Sequence, residues 1–159
     1  MSETPSRTGV ALTAAAGVAG AVPTLLSGVW LSAVALPLAV GGVYERSRRL
    51  LGVGVVALFS AVVVGSLAGA PLAALVPAMA GTVLVWDLGE NAIAVSEQLG
   101  AESATRRGQL LHAAVSTGVV VGFATAVTAV FRVSTGGYPL LAVTLLVVGA
   151  LIVLVGLGR

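Results

Sequence analysis

The chain has 159 residues, 58% hydrophobic and only 9% charged, where an ordinary soluble domain carries about a quarter charged residues. That balance excludes a soluble globular enzyme and points to an integral membrane protein organised as one domain. The net charge of +2 comes from eight basic residues, all Arg, set against six acids. They form no basic stripe able to track phosphates, so nucleic acid is excluded as a partner. Cys is absent, which removes disulfides, thiolate metal sites, iron–sulfur clusters and thioester lipid anchors.

Residues 9–44 carry no charge, and as one helix they would measure ~54 Å against a hydrocarbon core of ~30 Å. Two spans, about 9–23 and 28–44, are the economical solution, with Pro23, Thr24, Ser27 and Gly28 supplying the break and Pro37 kinking the second span. Further spans are expected at about 50–69, 72–91, 109–131 and 139–157, each near the ~20 residues that a crossing needs. The expected fold is therefore all-α, a polytopic transmembrane bundle of about six spans. A short polar tail, residues 1–8, precedes a single transmembrane domain, residues 9–159. With both termini inside, Arg7, Arg46, Arg48, Arg49, Arg106, Arg107 and Arg159 are cytoplasmic and only Arg132 is outside, the asymmetry expected of an inner-membrane protein. Tyr44 and Trp86 then fall near the inner interface, and Trp30, Phe131 and Tyr138 near the outer one. A competing reading makes residues 1–21 a cleaved signal peptide, with Ala19, Gly20 and Ala21 as the cleavage signal and five spans remaining.

The polar segment with a pattern is WDLGENAIAVSEQLGAESATRRGQLLH, residues 86–112. At 100° per residue Asp87, Glu90, Asn91, Glu97, Gln98 and Glu102 share one sector, while Leu88, Ala92, Val95 and Leu99 lie opposite. The fourth span should thus continue as an amphipathic helix to about residue 99. It should stop near Gly100 and give way to a new helix starting at Ser103 or Thr105. The second arm of this helical hairpin carries Arg106, Arg107, Gln109 and His112. In one reading Glu97 or Glu102 pairs with Arg106 or Arg107 and Asp87 or Glu90 bonds His112, so that the charges lock the hairpin. In another, Asp87, Glu90 and His112 form an ion or proton site at a cytoplasmic mouth. The spacing matches no metal-binding pattern, and no phosphate-binding loop or hydrolase elbow is present, so neither a metal nor another cofactor is expected. The G-x-x-x-G pairs Gly65/Gly69 and Gly118/Gly122 are read as packing positions. The hydroxyls of Thr117, Thr125 and Thr128 are expected to bond their own helix carbonyls.

On Trp86, Asp87, Gly89, Glu90, Asn91, Glu97, Gln98, Leu99, Gly100, Thr105, Arg106, Arg107 and His112, the sequence resembles a family of small haloarchaeal membrane proteins sharing the text WD-GEN, GEQLG and TRR-EL-H. Ser96 replaces a Gly of that text and Gln109 replaces an acid. The specific match covers about a fifth of the chain and implies a six-span plan without a reaction. Such proteins resemble companions of MoxR-type ATPase and von Willebrand factor A-type membrane systems, which adds weight to a scaffold role. The leading expectation is a non-enzymatic membrane subunit or scaffold of the cytoplasmic membrane. It would present Asp87, Glu90, Asn91, Glu97, Arg106, Arg107 and His112 to another membrane or cytoplasmic protein, or to a second copy. The alternative is a small channel or transporter with a coupling site at Asp87, Glu90 and His112.

Overall fold

The computed structural model describes the backbone of residues 7–98 and 102–133 and the side chains of residues 7–97 and 106–132. These residues form five α-helices: α1 Arg7–Leu26, α2 Leu31–Tyr44, α3 Arg48–Leu67, α4 Leu72–Gln98 and α5 Glu102–Val133. Four of them, all except α2, are long and apolar enough to cross a membrane. The chain divides into two compact units, residues 1–125 and 126–159. The described part of the second is the last two turns of α5. The first unit contains α1 to α4 and the rest of α5.

Three helix ends use the same hydrogen-bond pattern. After α1, Val29 N donates to Thr24 O at 3.0 Å and Gly28 N to Leu25 O at 3.0 Å. After α2, Ser47 N donates to Gly42 O at 2.7 Å and Arg46 N to Val43 O at 3.2 Å; after α3, Ala70 N and Gly69 N bond Gly65 O and Ser66 O. This paired closure satisfies carbonyls that a helix end otherwise leaves bare, and it needs a left-handed residue at its centre. Gly28 (φ 84°) and Gly69 (φ 79°) supply it cheaply, whereas the α2–α3 turn uses Arg46 (φ 54°), a residue type for which that conformation costs about 1–2 kcal/mol. Ser47 then caps α3, its hydroxyl accepting from Leu50 N.

The turns are short, so α1 to α4 run alternately up and down and pack through residues with little or no side chain. A Cβ on Gly20 would meet the Cα of Gly81 at 2.8 Å, and one on Gly42 the Cα of Leu51 at 2.7 Å. One on Gly54 would meet the backbone of Ala39. The backbones of α1 and α4, and of α2 and α3, therefore touch, as the weak hydrophobic drive inside a bilayer requires of a stable pair. Between these crossings Ala35, Ala39, Val43, Leu51, Leu58, Val85, Ala92 and Ile93 form the core. Thr24 and Ser32 join α1 to α2 by a buried hydroxyl bond of 2.6 Å.

Several expectations change. Pro23 does not break the first span: it lies inside α1, where Ser27 Oγ bonds its carbonyl at 2.9 Å, and the break falls at Gly28. Pro37 lies inside α2, whose 14 residues rise only ~21 Å, too little for a straight crossing. Of the six expected spans, the described residues show five helices, four of them long and apolar enough to cross a membrane, and the span expected at 139–157 lies outside the described residues. Of the G-x-x-x-G pairs, Gly65 faces Leu75 of α4, where an added Cβ would lie 3.4 Å from Cδ2. Gly69 sits in a turn, and Gly118 and Gly122 have nothing among the described residues within 4 Å of an added Cβ. Thr125 Oγ1 bonds its own helix at Val121 O, 2.8 Å away.

Gly81→Leu should therefore cost at least about 1–3 kcal/mol, read as a lower unfolding temperature in detergent. Gly118→Ala should be neutral or stabilising by up to about 1 kcal/mol. Equal losses at the two positions would contradict the close α1–α4 crossing.

Candidate functional site

The up-and-down path gathers the start of α1, the α2–α3 turn, the end of α4 and the start of α5 at one end of the first unit. Arg7, Arg46, Arg48, Arg49, Arg106 and Arg107 all belong to these segments. The acids of α4 point into the same region. From Leu72, α4 rises about 23 Å to Asp87, and its 27 residues measure about 40 Å, so its last turns outrun a ~30 Å core. A crossing counted from Leu72 would put Asp87 and Glu90 near the edge of the hydrocarbon and Glu97 beyond it.

The polar stripe of α4 splits between two neighbours. Glu90 and Glu97 are seven residues apart and lie on one flank, close in angle. Arg48, in the first turn of α3, reaches both: Nη2 donates to Glu97 Oε2 at 2.9 Å, and Nε lies 3.7 Å from Glu90 Oε2. This contact depends on Gly89, because a Cβ there would meet both Leu51 Cδ atoms at 2.9 Å and Val43 Cγ2 at 3.1 Å. The bare position lets the α2–α3 turn close onto α4 beside Glu90.

On the other flank Asp87 faces α5. Its Oδ2 lies 3.0 Å from His112 Nε2, and each of these atoms is sealed from solvent although each side chain as a whole is about two-fifths exposed. The pair is an ion-pair contact by distance and falls outside hydrogen-bond geometry. His112 lies about as far after the α4–α5 connection as Asp87 lies before it, the register of an antiparallel hairpin. Leu84, Leu88 and Ala113 form a small apolar cluster beside the pair, extended by Leu12, Ala16 and Val120. Gln109, one turn before His112, is buried. Asn91 is half-buried, and Arg106 and Arg107 are exposed.

The expected pairing of Glu97 with Arg106 or Arg107 is corrected, since Glu97 is held by Arg48 across 49 residues of sequence. The alternative acid, Glu102, has a side chain outside the described residues. Among the described residues no ion pair reaches Arg106 or Arg107. Sequence reasoning missed Arg48 and Gly89. The available signal was that both border a turn that must lie level with the acidic face of α4. An open groove of about 630 Å³, lined by Arg48, Val83, Trp86, Asp87 and Glu90, runs beside the Arg48 contacts. No described group of three or more His, Asp or Glu side chains is placed to hold a metal ion.

The chain belongs to the family of unknown function DUF7519, whose family model matches residues 3–154. No curated protein and no solved structure matches it. The family assigns no activity to the charged end.

Both carboxylate contacts are half exposed, so a double-mutant cycle on Arg48→Ala and Glu97→Gln should give a coupling below about 1 kcal/mol. His112→Ala should cost more, about 1–3 kcal/mol, because it removes the ion-pair partner that faces the sealed Asp87 oxygen, and adding Asp87→Ala should recover part of that loss. Thermal unfolding in detergent checks both. A coupling at Arg48 and Glu97 well above that at Asp87 and His112 would reverse this ranking.

Proposed function

We propose that this protein is a non-enzymatic membrane subunit whose charged end, with both termini on the same side in the cytoplasm, is offered to an acidic surface of a partner protein. The observation that supports this reading is the unequal satisfaction of charge. Arg48 engages Glu90 and Glu97, and His112 faces Asp87. Arg49, Arg106 and Arg107 are exposed and, among the described residues, meet no carboxylate. Asp87, Glu90 and Glu97 serve as internal braces, and among the exposed charges left for a partner Arg49, Arg106 and Arg107 outnumber the acid Glu45, so that face is basic. Concentration of Arg at one end is also the pattern that retains that end in the cytoplasm, and a sixth span at 139–157 would return the C-terminus to it.

Charge reversal tests the reading. In affinity purification from native membranes in mild detergent, the double variant Arg106→Glu with Arg107→Glu should lose a stoichiometric partner while its elution profile and helicity stay those of the parent. Retention of that partner would overturn the basic-face reading.

A second reading, a proton- or ion-coupling site at Asp87 and His112, draws on the sealed facing atoms Oδ2 and Nε2, since ionisable pairs at membrane depth often mark conduction paths. It requires flux in proteoliposomes that Asp87→Asn diminishes. Equal flux in parent and variant would remove it.

A further inference from the structure

A second groove opens on the outer side of α3. It is an open apolar trough of about 530 Å³ lined by Leu31, Gly52, Val53, Val56, Ala57 and Ser60. Five of these six belong to α3 and recur at three- and four-residue spacing, a series that Arg49 begins at the charged end of the helix. From Arg49 to Ser60 the helix rises about 16 Å, the depth of one leaflet in a hydrocarbon core of ~30 Å. The Ser60 hydroxyl donates to Val56 O at 2.8 Å, so its proton is spent within the helix and the trough stays apolar along its length.

Gly52 deepens this trough. Gly42 and Gly54 give up a side chain so that α2 and α3 can touch, but no described residue lies within 4 Å of a Cβ added at Gly52. A Gly inside a helix costs about 1 kcal/mol against Ala, and here no contact between helices offsets it. The bare backbone leaves room one turn from Arg49 on the same face.

Arg49 is exposed and, among the described residues, meets no carboxylate. Arg48 holds Glu90 and Glu97, His112 faces Asp87, and Glu45, the acid of the α2–α3 turn, is not within ion-pair distance of Arg49. In a helix a long side chain leans back toward the N-terminus, which carries the guanidinium toward the interface at the mouth of the trough. A guanidinium beside an apolar trough one leaflet deep is complementary to a lipid whose phosphate meets the first and whose acyl chain fills the second.

We propose that this trough holds one anionic phospholipid, its phosphate on Arg49 and one acyl chain along Gly52, Val53, Val56 and Ala57. Arg49 also belongs to the basic face offered to a partner, but the test of that reading rests on Arg106 and Arg107, so the two fail separately.

Native mass spectrometry of the purified protein in detergent, titrated with phosphatidylglycerol, should show saturable binding of one lipid per chain. Phosphatidylcholine, whose choline offsets the phosphate, should bind more weakly. Arg49→Gln should weaken phosphatidylglycerol binding about fivefold, the worth of one Arg at a membrane surface. Gly52→Leu fills the trough from a position that touches no described neighbour and should weaken binding of both lipids; Gly52→Val, a smaller filler, is the second variant at that position. Arg7→Gln removes an equal charge from the same end, away from the trough, and should leave the affinity unchanged. Unchanged elution and helicity establish that each variant is folded. Lipid addition without saturation, equal affinity for the two lipids, unchanged affinity on substitution of either Arg49 or Gly52, or an equal loss in Arg7→Gln would overturn the proposal.

Discussion

Backbone contact between helices is the constraint on which the rest of this structure depends. Inside a bilayer, lipid tails are as apolar as Leu, so helices gain little by burying Leu against Leu and must instead approach closely. Here Gly20 against Gly81, Gly42 against Leu51 and Gly54 against Ala39 fix both the distance and the register of two antiparallel pairs. A slip by one residue would put a Cβ where the opposing backbone now sits. Register in turn decides which polar groups meet at the charged end, because Arg48 and the acids of α4 belong to different pairs.

The charged end is built by turns as much as by helices. Two of the three helix closures use Gly at the left-handed position, and the third, next to Arg48, uses Arg46. A strained non-glycine residue at the turn that carries the bridging Arg is the kind of local cost that persists only where the surroundings determine it. Gly89 acts in the opposite sense, removing a side chain so that Leu51 and Val43 can approach α4. Together they bring Arg48 to Glu90 and Glu97. With Asp87, Glu90 and Glu97 engaged inside the molecule, Arg49, Arg106 and Arg107 outnumber Glu45 among the exposed charges left on the same end.

Much of this was legible in the sequence. Apolar runs of helix length gave the all-α membrane class, and the 100° pattern of 86–102 gave the continuation of the fourth helix, which runs to Gln98. Leu88 and Ala92, placed opposite its polar sector, are buried. What escaped was long-range. Spacing alone ties Glu97 to nearby Arg106, yet the partner lies 49 residues away, because only the packed register shows that the α2–α3 turn is level with the end of α4. The glycines misled for the same reason: with 21 in the chain, G-x-x-x-G spacing flags Gly118 and Gly122, which meet no described residue, and passes over Gly20 and Gly81, which touch across helices. Pro23 misled through a soluble-protein habit, since a helix within an apolar span tolerates Pro in its interior.

The central claim is that the α2–α3 turn closes onto the end of α4, and the absence of Cys from the chain makes it directly testable. Arg48→Cys combined with Glu97→Cys, treated with a short bifunctional maleimide in native membranes, should give an intramolecular cross-link in high yield. Arg49→Cys with Glu97→Cys, rotated 100° around α3, should give much less. No intramolecular product from the first pair, although both thiols react with a monofunctional maleimide, would contradict the register and the charged end built on it.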